Sequence, residues 1–316
     1  MELLVSIIIP CYNSASTIRE TLDSVCRQTW ESIEVILVDD ASQDNTADVA
    51  EAYEDDRVRV IRSEHVGACK ARNFGIHEAG GAYLQFLDAD DTLDSHKIEL
   101  QLKALSGGQR EHAVAYGPWW EFSNEYPSPT VGFVEGRDYS NPMDWLFASM
   151  LEGFFLPPHC WLVPASVVDS AGEWDERLLQ NQDGEFFSRV LENASEVVWV
   201  PESNSYYRGG NIGSVSQVKG RLYTESLLLA ANLIRDRMLE YAKGDASLRN
   251  IISALYLRIL YRMDYSDQEM VEEVWSEIQK LGLPQRTLSV GGKRFNQLKA
   301  VLGWRLAFKV KSLMTR

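Results

Sequence analysis

VSIIIPCYNSASTIRETLDSV, residues 5–25, decides the fold. Val5–Ile9 is a β-branched run of the kind found in a strand buried on both faces, as in a parallel sheet. A turn, PCYNS, follows at once, and Ile18, Leu22 and Val25 then recur at helical spacing. Thr17 with Glu20 has the spacing of a capping box at the start of that helix.

Outward from this stretch the same unit repeats. Ile33–Val38 is a second apolar strand, DDASQDNT a polar turn, and Ala47, Ala50 and Ala52 mark a helix. Val58–Ile61, a helix over Gly67–Ala79 and the strand Tyr83–Leu87 follow, the last ending in Asp88-Ala89-Asp90-Asp91. Strand and helix alternating at this spacing predict an α/β fold of right-handed crossovers around an open sheet, with helices on both faces. Ligands of such sheets sit beyond the carboxyl ends of the strands, where every polar cluster so far lies. After Asp91 the rhythm loosens. Strands are expected at Ala113–Tyr116, Trp119–Phe122, Val131–Val134, Cys160–Val163 and Val197–Val200, and helices over Ser95–Leu105, Pro142–Leu151 and Asp183–Leu191. From Gly220 nearly everything reads as helix. The domains expected are therefore 1–219, with halves 1–105 and 106–219, and a helical region 220–316.

The 316 residues carry a formal charge of −15, which excludes a protein that coats nucleic acid by neutralising phosphates. The average hides an asymmetry. Residues 293–316 hold seven basic side chains and no acidic one, leaving 24 basic and 46 acidic in the rest. Cys11, Cys26, Cys69 and Cys160 lack the paired spacings of zinc or redox sites and read as reduced thiols of a cytoplasmic protein. MELLVSIIIP has no basic segment before its apolar run, so it reads as a first strand and not a signal peptide. No run approaches the roughly 18 apolar residues that cross a bilayer.

FLDADD sets three carboxylates within four residues at the end of a buried strand, and like charges so close call for a cation. Hard oxygen donors suit Mg²⁺ or Mn²⁺, as at a metal–diphosphate site. Alone, such a string reads rather as a solvated acidic turn that also caps the following helix. Here Asp39-Asp40 ends the second strand, Tyr12 follows the first, and Arg72 on the helix opened by Gly67 offers a cation for a diphosphate or a base edge. An open sheet brings these around one crevice.

With VSIIIPCYNSASTIRETLDSV, IEVILVDDASQDNTADVA (33–50), GACKARNFGI (67–76) and AYLQFLDADD (82–91) in this order and spacing, the chain resembles family 2 glycosyltransferases over nearly all of residues 5–91. The resemblance implies the GT-A fold, an open mixed sheet flanked by helices. It also implies an inverting transfer from a nucleotide-diphospho-sugar, UDP-sugar being the expected donor class. By that similarity Pro10, Tyr12 and Asp39 line the nucleobase pocket, Arg72 helps hold the nucleotide, Asp88 approaches the ribose, and Asp90 binds Mn²⁺ or Mg²⁺ at the diphosphate. One departure is His65, where many relatives have Asn two positions before the glycine.

The later half matches more loosely. In LLQNQDGEFFSRVLE (178–192) Gln182 replaces the Glu of the family's acidic pair, and Asp183 takes the place of its general base, with Glu185 as the alternative. SYYRGGNIGSVS (205–216) resembles the segment that closes over the donor phosphates. Arg208 is the expected phosphate contact there, while Gly209-Gly210-Asn211 stands where many relatives carry a metal-binding histidine. Trp119, Trp120, Trp145 and Trp161 read as core or as walls for sugar rings, and His159 as a packed or hydrogen-bonded histidine. The acceptor expected is a glycan or a lipid-linked sugar. Residues 293–316, as a basic amphipathic helix, read either as a peripheral contact with the inner face of the cytoplasmic membrane or as a helix packed on the acidic body. The competing functions are a sugar nucleotidyltransferase and a non-catalytic nucleotide- or carbohydrate-binding relative. CYNSAS weighs against the nucleotidyltransferase, whose first strand is followed by a Gly-rich basic loop.

Overall fold

The protein is seen in a computed structural model that describes residues 3–106, 110–123, 130–131, 136–152, 156–210, 218, 220–282 and 290–314. It divides into two compact units, each discontinuous in sequence: residues 1–142, 156–176 and 189–212 form the first, and 143–155, 177–188 and 213–316 the second.

The first unit is built on a seven-stranded sheet. Its strands are β1 (Val5–Cys11), β2 (Ile33–Asp39), β3 (Val58–Arg62), β4 (Tyr83–Phe86), β6 (Val114–Tyr116), β9 (Trp161–Pro164) and β10 (Val197–Trp199), in the order β10-β6-β9-β4-β1-β2-β3. β1 pairs in parallel with both β2 and β4, and β9 runs antiparallel between β4 and β6, so the sheet is mixed, as the sequence led us to expect. The central strand is wholly buried because both of its faces are covered. Val5, Ile7 and Ile9 meet Ile18, Leu22 and Val25 of helix α1 (Ile18–Cys26). On the opposite face Ile8 lies under helix α3 (Ala68–Glu78) so closely that a Cβ on Gly75 would fall 2.3 Å from Ile8 Cγ2.

A second, four-stranded sheet has the order β5-β11-β7-β8, with β5 (Thr92–Leu93), β7 (Trp119–Phe122), β8 (Thr130–Val131) and β11 (Ser205–Arg208). The sequence reading missed β5, which is only two residues long. It also assigned no strand to Ser205–Arg208, which lie as a strand between β5 and β7. Of the expected strand Val131–Val134, only Val131 is described, in β8; the rest lies outside the described residues, as does Asn211. The capping box is corrected too. Thr17 makes no side-chain cap to α1, because its hydroxyl and the Glu20 carboxylate are both used elsewhere.

The second unit is mostly helical: α8 (Arg221–Ala242), α9 (Ala246–Arg262), α10 (Gln268–Leu281), α11 (Lys293–Leu302) and α12 (Trp304–Met314). α10 is opened by Asp267, whose carboxylate accepts from the Met270 amide. Residues 143–155 join it through the Tyr241 hydroxyl, which donates to Asp144 at 2.9 Å, and through Arg258, which donates to the Met150 carbonyl at 3.0 Å.

Candidate active site

The parallel register sets Cys11 beside Asp39, so β1 and β2 end at the same level. Two non-glycine residues in the left-handed region, Asn13 (φ 51°) and Ala41 (φ 56°), turn the chain sharply there. The two turns are then stitched together. The Asn13 amide donates to Ser42 Oγ at 2.9 Å, the Gln43 amide to Asn13 Oδ1 at 2.7 Å, and the Ser14 amide to Thr46 Oγ1 at 2.7 Å. Pro10 is buried in β1 opposite Val38, while Tyr12 is exposed with its ring 4.6 Å from that of His65. Asp39 is buried and accepts from the Ser42 amide. Burial first, and then the Asp39 charge, push the neighbouring Cys11 thiol well above its usual range. Asp40 accepts from the Val66 and Gly67 amides at 2.6 and 3.0 Å, and His65 Nδ1 lies 3.0 Å from its carboxylate. His65 thus presents a ring beside Tyr12 at the place where it departs from the family pattern.

The Asp88–Asp91 turn is held by its backbone. The Thr17 and Thr21 hydroxyls donate to the Ala89 carbonyl at 2.9 and 3.0 Å, and Arg208 Nε donates to the Asp90 carbonyl at 2.9 Å. The Arg208 guanidinium also pairs with Glu20 and lies 4.5 Å over the Phe122 ring, so this expected phosphate contact is anchored against the turn itself. Asp91 corrects the picture of three clustered carboxylates. It is fully buried, 2.8 Å from His159 Nδ1, and it accepts from the Arg208 amide at 2.8 Å. Burial alone would lower the His159 imidazole; the Asp91 carboxylate outweighs that and raises it, while burial also raises the Asp91 carboxyl. The partly exposed acids of the turn are Asp88 and Asp90.

Arg72 is buried on α3. Its Nη2 lies 2.7 Å from Asp88 Oδ1 and its guanidinium 4.5 Å over the ring of Trp174. Asn73 fixes Trp174 in turn, accepting from its amide at 2.8 Å and donating to its carbonyl at 3.0 Å. Pro10, Tyr12, Asp39, Arg72, Asp88, Asp90 and Arg208 therefore gather in the first unit around the adjacent ends of β1, β2 and β4. Among the described residues no three His, Cys, Asp or Glu side chains form a ready-made metal cage. The hard oxygens of Asp90, with Asp88 two residues away, fit a Mg²⁺- or Mn²⁺-type ion completed by substrate phosphates, which needs only one or two carboxylates.

Asp183 lies in the second unit, in the first turn of α7 (Gln182–Asn193), and is partly exposed. Glu185 is buried with Oε1 3.2 Å from Arg237. Gln182, the departure from the acidic pair, donates to the Leu178 carbonyl. Trp145 and Trp161 are core residues; Trp119 and Trp120 are half-buried, with Trp120 Nε1 donating to Asn204 at 2.8 Å.

The sequence reading missed the Asp91–His159 pair, the threonine clamp on Ala89 and the Trp174 face under Arg72. Only the clamp had a local signal. Thr17 and Thr21 are four apart, on one face of α1.

A family model described as glycosyl transferase family 2 matches residues 6–163. An uncharacterized glycosyltransferase of Rickettsia felis is 34% identical over 192 residues, which is 60% of this chain and 31% of that protein. The UDP-Glc:alpha-D-GlcNAc-diphosphoundecaprenol beta-1,3-glucosyltransferase WfgD of Escherichia coli is 37% identical over 105 residues, 33% of this chain and 42% of that protein. The chain thus spans less than half the length of these two relatives. Among solved structures, S. aureus TarS 1–349 in complex with UDP superposes with a TM-score of 0.71 at 18% identity, covering 98% of this chain and 92% of that one.

Proposed function

The chain belongs to glycosyl transferase family 2, and from that premise we propose that it moves a sugar, with inversion, from a UDP-sugar to a hydroxyl of a glycan or lipid-linked acceptor. The observation that carries this reading is the Asp88–Asp91 turn, clamped at two carbonyls beside Arg72 and the stitched ends of β1 and β2. Tyr12 and His65 present rings for a nucleobase, Asp39 is buried at the end of β2, and Asp88 with Arg72 forms the polar edge for ribose and diphosphate. WfgD takes UDP-Glc and a diphosphoundecaprenol-linked acceptor by its name, and the TarS structure holds UDP; both favour uridine here, and WfgD favours a lipid-linked acceptor.

Asp90 is the residue that would hold Mn²⁺ or Mg²⁺, and the chemistry such an ion supplies is neutralisation of the charge on the departing diphosphate. Asp183 takes the proton from the acceptor hydroxyl as its oxygen bonds to the anomeric carbon. The bond from that carbon to the diphosphate breaks, and its electron pair leaves with UDP. Asp183 suits this role better than Glu185, which is buried against Arg237.

Calorimetric titration of UDP, GDP and dTDP, with and without Mn²⁺, tests the reading. UDP is expected to bind with metal dependence that Asp90→Ala abolishes. Asp183→Asn should keep UDP affinity and lose about 10²–10⁴-fold in transfer rate. If no nucleotide binds under any metal condition, the donor site is wrong; if UDP binds but no UDP-sugar is turned over with any acceptor, the chain is a binding relative.

A further inference from the structure

We propose that α11 and α12 form a docking surface for an anionic lipid bilayer. Nine large apolar side chains stand exposed among the described residues, and five of them, Val301, Leu302, Leu306, Leu313 and Met314, fall within fourteen residues of this helix pair.

The pair has two faces. At 100° per residue, Trp304, Ala307 and Phe308 lie on one side of α12 and are buried. Phe308 meets Trp275, Tyr265 and Phe295, and Lys311 Nζ donates to the Tyr261 carbonyl at 2.6 Å. These contacts lie within the second unit and fix the helix in place. The opposite side of α12 carries Leu306, Lys309 and Leu313, all exposed. On α11, Phe295 and Lys299 are buried while Lys293, Arg294 and Val301 face outward. The packed and membrane-facing readings of this basic segment are therefore compatible, since each uses a different side.

The occupant follows from the chemistry of the outer side. Exposed apolar side chains stand among cations there, and residues 293–316 contain no acidic side chain. A partner must offer an apolar interior beneath a negatively charged surface, which an anionic bilayer does. A second copy related by a two-fold axis would instead set the same cations against each other. The contact needs no sugar-nucleotide chemistry, so it stands or falls apart from the proposed activity.

The test is co-sedimentation of the full chain with vesicles of phosphatidylcholine alone or mixed with phosphatidylglycerol. Binding is expected to the mixed vesicles only, weakening as salt rises. The double variant Leu306→Gln/Leu313→Gln should bind at least about tenfold more weakly, with an unchanged melting curve because both side chains point to solvent. Lys293→Glu/Lys309→Glu should weaken binding likewise. No preference for the anionic vesicles, or equal binding by the double glutamine variant, overturns the proposal. So does a light-scattering dimer that the glutamine variant disperses, which would make the occupant a second copy.

Discussion

The buried groups that hold the Asp88–Asp91 turn do so at a cost in desolvation that their partners must offset. Removing one partner of a buried ion pair leaves the other charge stranded, so His159→Ala should destabilise the fold by about 3–5 kcal/mol, measured by urea unfolding. UDP affinity should fall as well, because Asp91 also accepts from the Arg208 amide. An unfolding midpoint within error of the wild type would mean that the pair holds nothing. A second basic side chain is fully buried as well. Lys97 donates to Gln85 and Gln101, and burial pushes its amine from 10.5 down to about 7. Between those values the unfolded chain holds a proton that the folded chain does not, so this residue makes stability rise with pH through that window and fall as pH drops toward 7. Comparing wild type with Lys97→Met at pH 7.5 and 9.5 isolates the effect: the gain in wild-type stability between the two should shrink in the variant. The Asp91–His159 pair was not legible in the sequence, since His159 lies 68 positions after Asp91 and nothing local marks a buried partner that distant. Asp88, Asp90 and Arg72 were legible because the residues that shape that crevice lie close together along the chain.

At the scale of elements, the alternation of strand and helix over residues 5–91 was readable because each unit carries its own period and turn chemistry. The second sheet was not. β5 has two residues, and nothing local marks the four residues of β11 as a strand until β7 is placed beside them. The seam between α3 and β1 gives the clearest test of element packing. Gly75→Ala would force its methyl into Ile8, and neither a strand buried on both faces nor the helix above it can yield easily. A loss of about 1–3 kcal/mol in thermal or urea unfolding is expected, with weaker UDP binding since Arg72 rides on the same helix. An unchanged melting temperature would show that the helix can lift off the sheet freely.

At the scale of the whole chain, the interleaving of the two units matters more than a single boundary does. Residues 143–155 and 177–188 belong with the helices after 213, held by Tyr241, Arg258 and Arg237 and by the Ser226 hydroxyl, which accepts from the Leu179 amide. A chain cut after residue 219 would expose Trp145, Leu146 and Phe147 and take Arg237 away from Glu185. It is expected to aggregate or to bind a hydrophobic dye strongly, and a soluble monomer with wild-type UDP affinity would refute that. The Asp90 carbonyl is held by Arg208, 118 positions later. On a ribosome, then, the strands that shape the crevice emerge first, and the side chain that locks its acidic turn arrives long after them. A nascent chain stalled between the two would carry the walls of the proposed nucleotide site without its latch, and is expected to be recognisable as unfinished by failing to retain UDP.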